Sequence, residues 1–284
     1  MVAPIDGTST LWMVSYDAAG NVSVPSSVAL QDASGSLAGT APTPAHHAWL
    51  FGVSGGSLSS PIPDQNTDPT AADTSGAKPL VVGSAISLTT TDAINSVDAV
   101  PVLAFSGGTT TASLVGTVVG TGAAAVDTTS SFTAEAWVKP AAAGQSGVIL
   151  AQSGSTRSGF LLEETAGSMQ FCIQPQGSGQ TGTVCATATR PSPGGQWTLV
   201  TGIYDAVNKR LRALVDNDVT SVGWASIDPS QNATPAAGQV TVGSAQASSG
   251  LSSPWHGEIV NPVLAQVVFG SAAIGDNFSR FPQF

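Results

Sequence analysis

Over residues 130–140 the chain reads SSFTAEAWVKP. With a period of two, Phe132, Ala134, Ala136 and Val138 share one face, while Thr133, Glu135, Trp137 and Lys139 share the other. A large aromatic therefore falls among polar residues. Either Trp137 is a platform for a ligand, or the second face is covered too. Short apolar runs separated by Gly, Pro, Asn and Asp recur along the chain: LWMVSY, LVVGSAISL, VPVLAF, GVILAQ, GFLLEE, MQFCIQ, TVCATA, WTLVTGIY, LRALVD, QVTVGS and EIVNPVLAQVVFG. Helical periodicity is almost absent; one short turn near Ala273–Asp276 is the exception. Strands this numerous, without helices between them, predict an all-β fold, a sandwich or jelly roll.

One segment interrupts the pattern. Residues 31–45, QDASGSLAGTAPTPA, have no periodicity and read as a linker. Before it, within residues 1–30, two β runs flank DAAGN, whose Asp17, Gly20 and Asn21 suit a tight reversal. A lone hairpin of this kind is marginal in water. It resembles the last two strands of a fibronectin type III-like or Ig-like module, with the rest of that module missing. Residues 46–284 form the main domain on this reading.

Composition narrows the function classes. Hydrophobic residues make up 42 % of the 284, enough for a core, and charged residues only 9 %. Soluble domains usually carry roughly 25 % charge. The surface must therefore be largely hydroxyl and small side chains. A net charge of −10 with eight Lys and Arg leaves no basic stripe for a nucleic acid and disfavours anionic membranes and acidic polysaccharides. No apolar run reaches the roughly 18–20 residues of a membrane span, so no membrane insertion is expected. The start, MVAPIDGTST, lacks the basic and apolar regions of a signal peptide, so a secreted protein is expected to be represented here by a mature form or a fragment.

Cys172 and Cys185 flank a Gly-rich polar segment in FCIQPQGSGQTGTVC, which reads as a hairpin with facing cysteines. A bridge there suits an oxidising compartment and stabilises by about 3 kcal/mol in the chain-entropy model. Two free buried thiols are the alternative. Two sulfurs 13 positions apart, with no nearby His or third Cys, make no zinc set, so no metal is expected there.

From residue 46 onward, successive segments resemble the laminin G-like group of the concanavalin A-like lectin/glucanase superfamily. AHHAWLFGVSGG and TAADTSGAKPLVVGSA are similar to its opening strand and turn, and VPVLAFSGG to its aliphatic-x-Phe-Asp-Gly strand. VDTTSSFTAEAWVKP, GGQWTLVTGIYDAVNKRLRALVDND and WHGEIVNPVLAQVVFGSAAI follow in the family's order. The resemblance implies two curved antiparallel sheets and a group in which binding is common and catalysis exceptional. It also implies that Phe132 faces the central core and that Trp137 is roofed or lies at a sheet margin; burial is the expectation for Trp137 and Trp197, since large aromatics dominate cores.

Chemistry is sparse. Glycoside cleavage needs two carboxylates roughly 5–10 Å apart. The Glu-x-Asp-x-x-Glu string of related glucanases is missing, and adjacent Glu163 and Glu164 must point to opposite sides. Asp216 and Asp218 flank Asn217 in an apparent hairpin tip, where a solvated turn is expected. GVSGG at 52–56 fits a nucleophile elbow in letters only, because SLSSPIPDQN follows where a helix is required. His46, His47 and His256 are too scattered to define a triad or a metal site. Where relatives hold calcium, this chain has Ser106 in LAFSGG, and Val260 and Asn261 in GEIVNP, while Asp73, Asp127 and Asp205 read as turn caps. No cofactor is expected.

Sugar binding needs aromatic faces with polar partners. Segments that read as loops offer Trp224, in VTSVGWASIDP, and Trp255 with His256, in SSPWHGE. The family resemblance favours a core role for Trp255; Trp224 stays open between a platform and a lone exposed side chain. The expected function is a non-catalytic, lectin-like adhesion module of a larger secreted or cell-surface protein, with a glycan or glycosylated surface and the parent's other domains as partners. The alternative is a structural spacer or protein-interaction module without sugar binding. Because both calcium-site departures remove carboxylates, a calorimetric Ca²⁺ titration is expected to show no sub-micromolar binding.

Overall fold

A computed structural model describes residues 9–13, 26–30, 46–49, 62, 64, 79–83, 86–92, 99–106, 118–120 and 124–274, apart from 155–156, 177–181, 192–193, 217, 219, 248–249 and 271–273. The chain divides into two compact units, Met1–Thr43 and Pro44–Phe284. In the first, β1 (Ser9–Met13) and β2 (Ser26–Leu30) pair antiparallel from Ser9 with Leu30 to Met13 with Ser26. The DAAGN turn, the 31–45 linker, GVSGG and Asp73 lie outside the described residues.

The second unit runs through β3 (His46–Ala48), β4 (Leu80–Val82), β5 (Ser87–Asp92), β6 (Ala99–Ser106), β7 (Val118–Gly120), β8 (Phe132–Pro140), β9 (Gly147–Ser153), β10 (Ser158–Thr165) and β11 (Ser168–Ile173). It continues with β12 (Pro175–Gln176), β13 (Val184–Pro191), β14 (Thr198–Asp205), β15 (Arg210–Val215), β16 (Gly223–Ser226), β17 (Asn232–Ala233), β18 (Val240–Val242), β19 (Ala245–Ala247), β20 (Gly250–Ser252) and β21 (His256–Ala265). An eight-stranded sheet has the order β16-β15-β14-β8-β21-β6-β5, with β3 also paired to β21, and a seven-stranded sheet the order β13-β11-β10-β9-β18-β7-β4. Every pairing among the described strands of these sheets is antiparallel. The fold is the all-β antiparallel sandwich the sequence predicts.

The two sheets meet on Phe132. Its ring lies 5.1 Å from Phe160, 5.7 Å from Phe171 and 6.0 Å from Tyr204, tilted or edge-on as aromatic quadrupoles prefer. The opposite face of β8 is buried too: Trp137 is 5 % exposed and Glu135 2 %. Buried polar groups need partners, and these have them. The Thr133 hydroxyl donates to the Val267 carbonyl at 2.6 Å and accepts from the Phe269 N–H at 3.0 Å. The Thr201 hydroxyl donates to the Glu135 carboxylate at 2.9 Å. The second face is therefore covered, and Trp137 is no platform.

Inside the sandwich, Gln152 on β9 uses its whole amide. Its oxygen accepts from Ala125 and Val126 N–H groups at 2.9 and 3.0 Å, and its nitrogen donates to the Val126 and Ala236 carbonyls, both at 2.7 Å. All four hydrogen-bonding positions of a Gln amide are filled.

Several elements differ from the sequence reading. LVVGSAISL divides between two sheets, β4 and β5, at a turn closed by the Ile86 N–H on the Gly83 carbonyl. EIVNPVLAQVVFG is bulged between Val260 and Val263, where Asn261 adopts a φ of 50°. Asn tolerates that left-handed conformation better than other chiral residues. The strand ends at Ala265, and of the 273–276 turn only Ile274 is described, its N–H donating to the Gly270 carbonyl.

Two contacts fix the margins of the second unit. His47 Nδ1 lies 2.6 Å from Asp64 Oδ2, both side chains fully buried, and Asp64 also accepts the Ala48 N–H. At the other margin β16 approaches β13 so closely that a Cβ on Gly223 would lie 1.9 Å from the Thr187 carbonyl oxygen. Leaving a buried hydrogen-bonding group without its partner costs about 1–3 kcal/mol, so His47→Ala, which strands the Asp64 carboxyl, is expected to lower stability by that amount. Gly223→Ala is expected to cost about 1–3 kcal/mol through overpacking. Urea unfolding of each variant measures both.

Candidate functional site

The outer face of the eight-stranded sheet can be followed strand by strand from its register. Trp224 on β16 lies opposite Arg212 on β15, Arg212 opposite Ile203 on β14, Ile203 opposite Thr133 on β8, and Thr133 opposite Ala265 on β21. Ile203, Thr133 and Ala265 are buried, and Trp224 at the margin is 59 % exposed. Trp224 thus belongs to a strand, not to the loop expected from sequence. Its neighbours Gly223 and Ala225 gave no usable alternation, and the close approach of Gly223 to β13 turns the next side chain outward.

The Arg212 guanidinium carbon sits 5.5 Å from the centroid of the Trp224 ring. A guanidinium at that distance is attracted to the ring quadrupole and favours the indole orientation that faces it. Asp205 lies nearby on β14, two residues from Ile203. Burial pushes its carboxyl up, but hydrogen bonds from the Asn208 side chain and from the Asn208 and Val207 N–H groups, with the Arg212 charge, outweigh it and hold Asp205 below the usual carboxylate range. The margin therefore offers an aromatic face, a cation and an anion together.

His256 and Trp255 lie elsewhere. His256, the first residue of β21, is exposed opposite exposed Ser106 on β6, whereas Trp255 lies just before the strand and is buried. Trp255 is 0 % exposed and packs in the core, so it presents no face to a ligand. His256 is level with Ala141, eight residues beyond Thr133 on β8, about 26 Å along the strand at 3.3 Å per residue. Trp224 and His256 are not brought together.

Beside His256 lies a group the sequence reading passed over. Glu258 on β21 pairs with Lys139 on β8, their charged atoms 3.5 Å apart, and Lys139 Nζ stands 5.9 Å from the centre of the half-buried Trp197 ring. Alternation in SFTAEAWVKP did place Lys139 on the outer face; only the β8–β21 register could supply Glu258.

The acids and cysteines have definite roles. Glu163 faces Gln170 and Glu164 faces Met169, and consecutive residues of β10 lie on opposite faces. Ser106 and Val260 are not neighbours either: Ser106 is opposite His256, four residues from Val260, about 13 Å along β21. Asp127 caps a turn, accepting from the Thr129 hydroxyl and N–H and the Ser130 hydroxyl, and Asp218 caps another through Thr220. Asp216 accepts the Leu199 N–H at 2.9 Å. Cys172 and Cys185 are direct partners on β11 and β13 and form a disulfide. Glu163 Oε1 lies 3.4 Å from Cys172 Sγ, and burial pushes the Glu163 carboxyl up.

Residues 112–272 match a laminin G-like family described as the concanavalin A-like lectin/glucanases superfamily, and the chain belongs to it. None of the curated proteins matches the chain. Among solved structures it is similar to the binding domain of Paraclostridial Mosquitocidal Protein 1, with 9 % identity and a TM-score of 0.52 over 72 % of this chain and 50 % of that one. The botulinum neurotoxin serotype G binding domain gives 8 % identity and a TM-score of 0.53 over 84 % and 50 %. Domain 4 of AbnA, an extracellular arabinanase from Geobacillus stearothermophilus solved with arabinotriose, gives 12 % identity and a TM-score of 0.48 over 72 % and 90 %. The chain spans about half the length of the two toxin domains, and at these identities the likeness is one of fold.

Asp127 generates a pH prediction. Burial pushes its carboxyl up, yet the bonds from Thr129 and Ser130 prevail and hold it below the ordinary range. A lowered folded-state pKa stabilises above the unfolded-state value, and that contribution disappears as pH falls through the folded-state value. Asp127→Asn is therefore expected to melt below the parent protein at pH 7, with the gap closing on acidification below the usual aspartate range. Thermal melts at stepped pH measure it.

Proposed function

We propose that the chain is a non-catalytic, lectin-like binding module of a larger secreted or cell-surface protein, and that it holds a glycan or glycosylated partner at Trp224. The observation that carries this reading is the exposed indole steadied by Arg212, with the Asp205 carboxylate nearby. Sugars are recognised by stacking on such a ring while fixed polar groups orient their hydroxyls. Family membership supports binding, and the two toxin structures that share the fold are binding domains. A cross-strand disulfide supports an oxidising, extracellular location. The non-catalytic part of the reading draws support from Glu163 and Glu164, which strand alternation keeps on opposite faces.

One observation favours the spacer or protein-interaction reading instead. Leu199, Trp137 and Val260, which follow one another across the middle of the same sheet face, are all buried, so that face offers no open aromatic canyon there. A glycan array on the intact chain separates the two. Retention of a neutral glycan by the parent protein, abolished in Trp224→Ala with the melting temperature unchanged, is the expected result. A destabilised Trp224→Ala that still binds reverses the assignment of Trp224; no retention by the parent protein favours the spacer. No reducing-sugar release is expected over a polysaccharide panel.

A further inference from the structure

We infer that Glu163, Cys172 and Cys185 form a redox-gated site for Zn²⁺, closed by the disulfide and opened when the bridge is reduced. Register assembles it. Cys172 on β11 is opposite Cys185 on β13 and opposite Leu161 on β10, so Glu163, two residues beyond Leu161, shares their face of the seven-stranded sheet. One ligand atom from each residue lies within 4.8 Å of the other two. Tetrahedral zinc with thiolates at about 2.3 Å and a carboxylate oxygen at about 2.1 Å needs its ligand atoms about 3.5–3.8 Å apart, a change of side-chain rotamer and not of backbone. Gln170 Oε1, 3.9 Å from Cys172 Sγ, or a water stands ready for the fourth position.

A second observation concerns Glu163 itself. It is half-buried against the sulfurs and forms no ion pair with a described residue. A half-buried carboxylate is costly without a counter-charge. Two thiolates and a carboxylate form a soft, anionic set that selects zinc over calcium or magnesium. The sequence offered two sulfurs and no third ligand; the third comes from the neighbouring strand. The inference does not depend on Trp224.

Bridge and cation exclude each other. A phosphine reductant attacks one sulfur and breaks the S–S bond. The two electrons pass to the cysteines, water supplies their two protons, and the phosphine leaves with the water's oxygen as its oxide. Zinc then displaces both thiol protons. Bound metal holds the reduced form by mass action and slows closure of the bridge.

The experiment uses the intact chain, phosphine-reduced and anaerobic, titrated with Co²⁺ and then with Zn²⁺. One Co²⁺ per reduced chain is expected, with a thiolate-to-cobalt charge-transfer band and strong tetrahedral d–d absorption, displaced by Zn²⁺; the oxidised chain is expected to give neither signal. Glu163→Gln, which keeps both thiols, is expected to lose at least tenfold in affinity, and Zn²⁺ is expected to slow reoxidation by oxidised glutathione in the parent protein far more than in Glu163→Gln. Absence of the charge-transfer band, unchanged affinity in Glu163→Gln, or loss of the β circular-dichroism signal on reduction each overturns the inference.

Discussion

Burial of both faces of β8 is the constraint from which the rest of the main unit follows. One face carries Phe132 into the ring cluster with Phe160, Phe171 and Tyr204, which joins the two sheets. The other carries Thr133, Glu135 and Trp137 under cover. A strand enclosed on both sides cannot leave polar groups unmatched, so Thr133 and Glu135 are fixed by hydroxyl and backbone contacts from β14 and the segment after β21. Those contacts tie residues far apart in sequence. They also set where a ligand cannot go: the middle of that sheet face is occupied by the protein itself.

Among the described residues, two accessible groups lie at opposite ends of the outer face. At the β16 margin, Trp224 stacks with Arg212 beside Asp205; near the start of β21, Lys139, Glu258 and His256 cluster beside Trp197. At the first, Gly223 allows β16 to rest against the backbone of β13. Close packing at the margin is thus what makes the exposed ring a defined surface. The other sheet contributes a different chemistry, a bridge with a carboxyl against it, shaped by the same cross-strand geometry.

Strand alternation carried much of this reading. It separated Glu163 from Glu164 and placed Phe132 inward, because a period of two is a local property of extended backbone, and the Gly-rich hairpin segment put the two cysteines on facing strands. It failed where local signals were weak or conflicting. Trp224 reads as loop because β16 is four residues long and begins with Gly223, and the single run EIVNPVLAQVVFG hides a bulge at Asn261. Trp255 reads as a site candidate beside His256, yet it is buried in the core just before β21 while His256 opens the strand exposed.

The class of fold, the composition of the surface, and the residues of each strand that share a face are local properties of the chain. These follow from periodicity, turn residues and charge, all legible within a few positions. Which faces are covered, that Lys139 meets Glu258, that Arg212 lies over Trp224, and that Glu163 reaches the cysteines emerge from packing alone. Each of those depends on inter-strand register and on what packs above a sheet, and both are set by contacts between segments distant in the chain.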